Sequence, residues 1–433
     1  MGYQASLDYL YSLQRFGIKL GLENTALLLK RLGNPQDALR IVHVAGTNGK
    51  GSTASALASI LCQAGLRTGL YTSPHLHSFT ERIQINGKPI EEQSVAALIE
   101  EIKPVAEDLG TTFFEFATAL ALLSFQRNGV EWVVLEVGMG GRLDATNIVS
   151  PELVLLSPIS LDHAEHLGDS LAAVAGEKAG IFKQQVPVLS ARQPEAAARV
   201  VEKKALTLEA PLFRSGTDFT WRASADRFNY HGLDRTLSDL TPGLTGTHQL
   251  ENLSLALAAA ELLKRSGVKI STSAMREGIA QVVWPGRLEW LSGHVLLDGA
   301  HNPAGAEVLG AYLKTKSLDG IHWIVGLKAD KDSEKILTPL LPFTKQLYAC
   351  KPPVEAAVSP HSLAALARKA GVSAEVFELP QQALAAAQNT RKAEELILVA
   401  GSLFLVAEIR EQLFSTVAHP DGLKNACWTG TAT

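Results

Sequence analysis

Val44-Ala45-Gly46-Thr47-Asn48-Gly49-Lys50-Gly51-Ser52 lies between the apolar run 41–45 and a helical pattern over about 52–64. A strand feeding a glycine-rich turn and then a helix is a phosphate-binding arrangement. Its backbone N–H groups and helix N-terminus form a concave anion site, and glycines let the chain approach phosphate oxygens. Lys50 is placed to reach the β- and γ-phosphates, and Ser52 is expected to open the helix. The strict pattern has four residues between its glycines and Ser or Thr directly after Lys. Here the loop is shorter, and Gly51 separates Lys50 from Ser52. A glycine-rich βα turn with a solvated lysine is the plainer alternative.

Outward from this loop, short β-branched runs alternate with Ala/Leu-rich segments of helical period, the pattern of a mostly parallel sheet wrapped by helices. Strands are expected at 132–137, 153–156 and 186–189, a small β excursion over 213–242, and an apolar helix over 250–265. After Trp284-Pro285-Gly286-Arg287 the alternation restarts, with strands at 295–297, 321–325, 346–349 and 396–400. The expected fold is α/β: an N-terminal P-loop-type domain with a mostly parallel sheet (1–290) and a smaller Rossmann-like C-terminal α/β domain (291–420). A flexible tail is expected over 421–433.

The bulk composition excludes several classes. A net charge of −4 with no Lys/Arg block gives no support to nucleic-acid binding. Three scattered cysteines, Cys62, Cys350 and Cys427, form neither a zinc spacing nor a disulfide framework, which fits a reducing compartment. No leader pattern opens the chain, and no apolar run approaches the roughly 18 residues of a membrane span. Cytoplasm is the expected location, and a monomer the expected state.

Three further loops carry chemistry. Tyr71-Thr72-Ser73-Pro74-His75 reads as a loop. Glu136 ends an apolar strand just before Gly138, Gly140 and Gly141, where a carboxylate is costly unless paired or metal-bound. Ser160-Leu161-Asp162-His163 follows the next strand. Ligands gather at the carboxyl ends of such strands. Ser73 and Glu136 suit Mg²⁺, which takes oxygen ligands, water and phosphate. His163 is an odd ligand for so hard an ion, and a helix cap or a hydrogen-bonded loop residue is an equal reading of it.

Gly-Thr-Asn-Gly-Lys-Gly-Ser resembles the phosphate loop of the Mur ligase superfamily, in its folate branch. Nine segments resemble, in order, those of the dihydrofolate synthase/folylpolyglutamate synthase family. They are Thr72-Ser73-Pro74-His75-Leu76, Glu81-Arg82-Ile83, Phe114-Glu115-Phe116, the run from Glu136 to Asn147, Leu161-Asp162-His163, Glu177-Lys178-Ala179-Gly180-Ile181, His248-Gln249-Leu250-Glu251-Asn252, Pro285-Gly286-Arg287 and Asp298-Gly299-Ala300-His301-Asn302-Pro303.

The resemblance implies an ATP-dependent ligase joining L-glutamate to dihydropteroate or a reduced folate through an acyl phosphate. ATP is then expected on Gly46, Thr47, Asn48, Gly49, Lys50, Gly51, Ser52, Asn252, Arg287 and Asp298. Divalent metal, two Mg²⁺ ions, is expected on Ser73, Glu136 and His163. Lys50, Lys178 and His301 are the implied catalytic residues, and Lys178 matches a position carbamylated in many members; read alone, it is a surface ion pair with Glu177. The implied pterin and folate contacts are Gly17, Ile18 and Lys19, then Thr112, Phe113, Phe114 and Glu115, then Leu143, Asp144 and Ala145. Lys19 stands where many members carry an acid, and core packing is the alternative for Phe113, Phe114 and Phe116. Ser402 is an expected glutamate contact. Two rival readings remain: a peptidoglycan-type amino-acid ligase, and a P-loop switch that only hydrolyses ATP. A monofunctional folylpolyglutamate synthase is a third.

Overall fold

The P-loop strand Arg40–Ala45 is buried at every residue but its first, because helices cover both faces of its sheet and leave no polar side. Its side chains alternate between two cores. Ile41 packs with Val133, Leu135 and Phe116, while Val42 and Val44 pack with Leu57, Val134 and Leu253. It pairs in parallel with Trp132–Glu136 on one side and Leu153–Leu156 on the other. The register sets Val44 opposite Glu136, so that carboxylate stands beside the start of the phosphate loop.

The computed structural model describes residues 2–17, 21–291, 294–316, 318 and 320–416. Ile18, Lys19 and the expected tail 421–433 lie outside the described residues. The N-terminal sheet has eight strands, in the order Lys88–Pro89, Ile83–Ile85, Thr68–Tyr71, Trp132–Glu136, Arg40–Ala45, Leu153–Leu156, Val188–Ser190, Leu212–Arg214. All neighbours are parallel except at the Ile83–Pro89 hairpin edge. Helices Lys50–Gln63 and Thr247–Arg265 bury one face, and Glu92–Ala106 and Phe113–Arg127 the other. The expected β excursion is a three-stranded antiparallel sheet, Thr220–Ser224, Arg227–His231 and Thr236–Leu240.

The second sheet has six strands: Glu289–Leu291, Val295–Asp298, Leu396–Ala400, Ile321–Val325, Thr344–Cys350 and Ser373–Phe377. All run parallel except Glu289–Leu291. Two sequence expectations are corrected. Tyr71 is not loop but the last residue of a buried strand, paired with Leu135 and Ile83. The loop helix begins at Lys50 rather than Ser52, because Gly49 takes the left-handed conformation (φ 85°) at its N-cap. Among the described residues, no helix is long and apolar enough to cross a membrane.

Candidate active site

The phosphate loop is held open by what packs on its glycines. A Cβ on Gly46 would stand 1.9 Å from Ser157 Oγ, and one on Gly49 2.3 Å from Asn252 Oδ1. Gly51 has the Trp284 ring against it, at 2.6 Å from a would-be Cβ, so the extra glycine after Lys50 makes room for an indole. The N–H groups of Thr47 and Asn48 do not face an anion: both donate to the carbonyl of Pro158, at 3.0 and 3.2 Å. That corrects the sequence reading of the turn. The donors left for phosphate are the first N–H groups of helix Lys50–Gln63, which have no intrahelical partner. Lys50 Nζ rests on the carbonyl of Thr47 at 3.2 Å, and Ser52 is buried in the first helical turn.

Glu136 and Ser73 meet. The backbone N–H of Ser73 donates to Glu136 Oε2 at 3.1 Å, just before the cis Ser73–Pro74 bond. Burial raises the Glu136 pKa, while the positive charge of Lys50, the Ser73 N–H, Arg287 and Arg82 pull the other way. A buried carboxylate among three cations, with one protein hydrogen bond, fits a divalent ion that shares its oxygens with phosphate and water. His163 sits at the N-cap of the short helix Ala164–Leu167 with φ 51°, yet its side chain makes no capping bond. Burial holds its imidazole neutral, with a pKa near 4, the form a metal ligand needs. Among the described residues no three His, Cys, Asp or Glu groups cluster for a metal, so any ion here depends on Ser73 and on non-protein oxygens.

Lys178 is not a surface residue. It is 4% exposed, and its Nζ donates to the carbonyl of Gly46 at 2.7 Å. Its neighbour Glu177 pairs instead with Arg142 at 2.9 Å, correcting the expected ion pair. Helix Leu171–Lys178 turns Lys178 inward because adjacent residues on a helix face different ways. Burial first, then the charge of Lys50, lowers the Lys178 pKa to about 7.

The second domain reaches the loop through residues far apart in sequence. Asn302 caps helix Pro303–Lys314, accepting from Gly305 N at 2.8 Å. It also exchanges two hydrogen bonds with Asn48, at 3.2 and 3.0 Å, and donates to Asp162 Oδ2 at 3.0 Å. Asp162 further accepts from Lys331 Nζ at 2.7 Å, and His301 Nε2 lies 3.6 Å away. Burial alone would raise the Asp162 pKa; the facing His301, the adjacent His163 and the bond from Lys331 hold it well below the carboxylate range. His301 Nδ1 donates to the carbonyl of Gly299 at 2.7 Å. Sequence reasoning missed Lys331, which lies 169 residues from its partner and in no phosphate motif. Both side chains are under 10% exposed. Lys331→Met, which leaves the Asp162 carboxylate short of a cation, is therefore expected to cost about 3 kcal/mol. Denaturant unfolding measures that loss, and adding Asp162→Asn should recover part of it.

Arg287 lies against Gly299, where a Cβ would meet its Nη1 at 1.7 Å, with Asp298 and Glu136 acting on its charge. Asp298 accepts from the N–H groups of Leu288 and Ala300, at 2.9 and 2.8 Å. Asn252 is buried, fixed by donating to Gln249 Oε1 at 2.8 Å. Ser402 Oγ accepts from Phe404 N at 3.2 Å, a helix-starting bond.

The expected pterin residues divide. Gly17 ends a 3₁₀ turn with φ 65°. Glu115 does not present a free carboxylate: it forms a capping box with Thr112, accepting from Thr112 N at 2.7 Å. Asp144 is spent likewise, accepting from Met139 N, Thr146 N and Thr146 Oγ1 at 2.9, 3.0 and 2.5 Å. Both carboxylates were expected to meet substrate; backbone donors within a few residues reach them first. Phe114, in the first turn of helix Phe113–Arg127, packs on Gly138 and tilts against Tyr71. Phe113 stacks on Tyr11 and meets Phe79 edge-on, and Phe116 is core against Tyr9. Ala145 is buried and Leu143 half-buried.

Residues 44–260 match the family model for the Mur ligase middle domain, and residues 288–412 that for the dihydrofolate synthetase C-terminal domain. The chain is 35% identical over 434 residues to the dihydrofolate synthase/folylpolyglutamate synthase of Bacillus subtilis, covering 95% of this chain and 99% of that one. It superposes on E. coli FolC in complex with DHPP and ADP at a TM-score of 0.88 and 33% identity, covering 95% of this chain and 98% of that one. The Yersinia pestis bifunctional folylpolyglutamate synthase/dihydrofolate synthase, complexed with AMPPNP and Mn ion, gives 0.87 and 33%, over 96% and 98%.

Proposed function

The chain belongs to the dihydrofolate synthase/folylpolyglutamate synthase family, and from that premise we propose that it adds L-glutamate both to dihydropteroate and to reduced folates. It is an ATP-dependent ligase. One observation carries the reading: Asn48 in the phosphate loop and Asn302 in the second domain's first turn hold each other by two hydrogen bonds. A second domain seated on the loop is what a ligase needs and a simple P-loop switch does not. The family match sets aside the peptidoglycan-type alternative.

The chemistry follows from the residues in place. The first N–H groups of helix Lys50–Gln63 and the Lys50 ammonium take the β- and γ-phosphates, stabilising charge on the transferring phosphoryl group. The acid's carboxylate oxygen attacks the γ-phosphorus, the bond to ADP breaks, and an acyl phosphate forms. Glutamate's amine then attacks the acyl carbon, loses a proton, and expels inorganic phosphate. Divalent metal, when bound by Ser73, Glu136 and His163, supplies Lewis-acid stabilisation of phosphate charge. Arg287 and Asp298 stand at the joint on the nucleotide side. The Asp162–Lys331 pair and the Asn48–Asn302 exchange keep the joint shut against water, which would otherwise hydrolyse the acyl phosphate.

The same reading divides the labour near residue 290, with phosphate, metal and pterin handled before it and nucleotide closure and the glutamate side, including Ser402, after it. Carbamylated Lys178, a cytoplasmic location and a monomeric state belong to the proposal. Bifunctionality is tested by ATP- and glutamate-dependent product formation from dihydropteroate and, separately, from tetrahydrofolate. Both should proceed. Failure with dihydropteroate alone leaves a dedicated polyglutamate synthase, and failure with tetrahydrofolate alone a dedicated dihydrofolate synthase.

A further inference from the structure

Arg82 takes no part in the chemistry above, yet it is a charged residue only 7% exposed. It ends the 3₁₀ turn Phe79–Arg82, and its carbonyl accepts from Thr72 N at 3.0 Å, which sets it beside Ser73. Glu81, next to it in sequence, forms no direct ion pair with it. That carboxylate accepts from the N–H groups of Leu76, His77 and Ser78, at 2.7, 3.0 and 2.9 Å. Among the described residues, the guanidinium makes one hydrogen bond, from Nε to His75 Nδ1 at 2.7 Å, and no ion pair. His75 offers no charge in return, since its Nδ1 accepts from the guanidinium and so carries no proton.

What surrounds the fork is aromatic. The guanidinium carbon lies 5.1 Å from the Phe113 ring centre and 5.9 Å from that of Phe79. Such rings hold a cation in place without using its N–H donors. With Nε taken, the Nη groups retain the planar geometry that matches two oxygens of one carboxylate. Among the described residues they have no protein acceptor, yet they are not sealed from solvent, so they stand open to a partner that arrives with substrate. Lys50, Arg287 and Arg82 all act on Glu136. Lys50 and Arg287 stand on the nucleotide side, while Arg82 approaches from the side of Phe113 and Phe79.

We infer that Arg82 binds the carboxylate of the aryl acid that is to be phosphorylated, holding it between the aromatic wall and the γ-phosphate. The inference rests on the ligase reading above and deepens it. Phe113, by the same geometry, positions Arg82 and is not a stacking platform for the pterin.

Calorimetric titration with pteroate and with its carboxamide, in the presence of ADP and Mg²⁺, tests this. Wild-type protein should prefer the acid by about tenfold to a hundredfold, the range of a charge-assisted pair. Arg82→Met should erase that preference while leaving amide and ADP affinity unchanged, and Arg82→Lys should fall between. Equal loss for both ligands would make Arg82 a packing residue and overturn the inference, as would an unchanged preference in Arg82→Met. If Arg82→Met fails to bind ADP, Arg82→Lys decides: a preference equal to wild type overturns the role of the fork. Wild-type protein that binds neither ligand would overturn the ligase reading itself.

Discussion

Replacing Lys50 with alanine is expected to abolish ATP-dependent phosphate release while leaving the fold intact. Among the described residues, the Lys50 side chain makes one hydrogen bond, to the carbonyl of Thr47 at 3.2 Å, and belongs to no apolar cluster. Its removal should therefore change stability by well under about 1 kcal/mol. Its ammonium stands at the start of the loop helix, where charge develops as the γ-phosphoryl group moves. Loss of one preorganised charge at such a point costs about 10²- to 10³-fold in turnover. Phosphate release measured with saturating glutamate and pteroyl acid, beside a thermal melt, separates the two effects. Substantial turnover in Lys50→Ala would remove the phosphate-loop assignment.

Lys178→Ala is expected to lose most activity, with partial rescue by short carboxylic acids such as acetate. The unmodified amine is buried against the carbonyl of Gly46 and is weakened as a base, with a pKa near 7. Near neutrality an appreciable fraction is then uncharged, the form that attacks CO₂. The ammonium first sheds a proton, the amine nitrogen then bonds to the carbon of CO₂, a second proton leaves, and a site that held a cation holds an anion. Lowering the pH through about 7 protonates the amine and should deplete the carbamate; raising it should fill the site. An anion at this position would sit within reach of the Lys50 charge, replacing a like-charge pair by an attractive one. A ¹³CO₂-equilibrated sample should show a carbamate resonance that Lys178→Ala lacks. Absence of that signal together with full activity in the variant would end the proposal.

Much of the architecture of both sheets is local in origin. The buried strands at Arg40–Ala45, Trp132–Glu136, Leu153–Leu156, Ile321–Val325 and Leu396–Ala400 are apolar runs whose neighbours in sequence suffice to mark them. The glycines of the phosphate loop announce themselves in the same way. Thr68–Tyr71 and Ser373–Phe377 carry too little periodicity to stand out, and Val188–Ser190, expected at 186–189, does not show its ends. Their pairing partners supply the stability that their own composition does not.

The site divides along the same line. Gly46, Gly49, Lys50, Ser73 and Glu136 could be singled out as candidates because each sits at a strand end or a turn that its immediate neighbours define. The local bonds of Asp144 and Glu115 were not legible, because a carboxylate in a motif says nothing of which donor reaches it first, and nearby backbone N–H groups did. Lys178 looked like a surface partner of Glu177, and only the helix rotation against the sheet shows it turned onto Gly46. The Asp162–Lys331 pair spans 169 residues and the Asn48–Asn302 exchange 254. Periodicity and turn chemistry act over a few residues, so one chain suffices to determine strands, helices and the phosphate loop. Which charges meet across such separations depends on how two finished sheets pack together, and that is decided only in three dimensions.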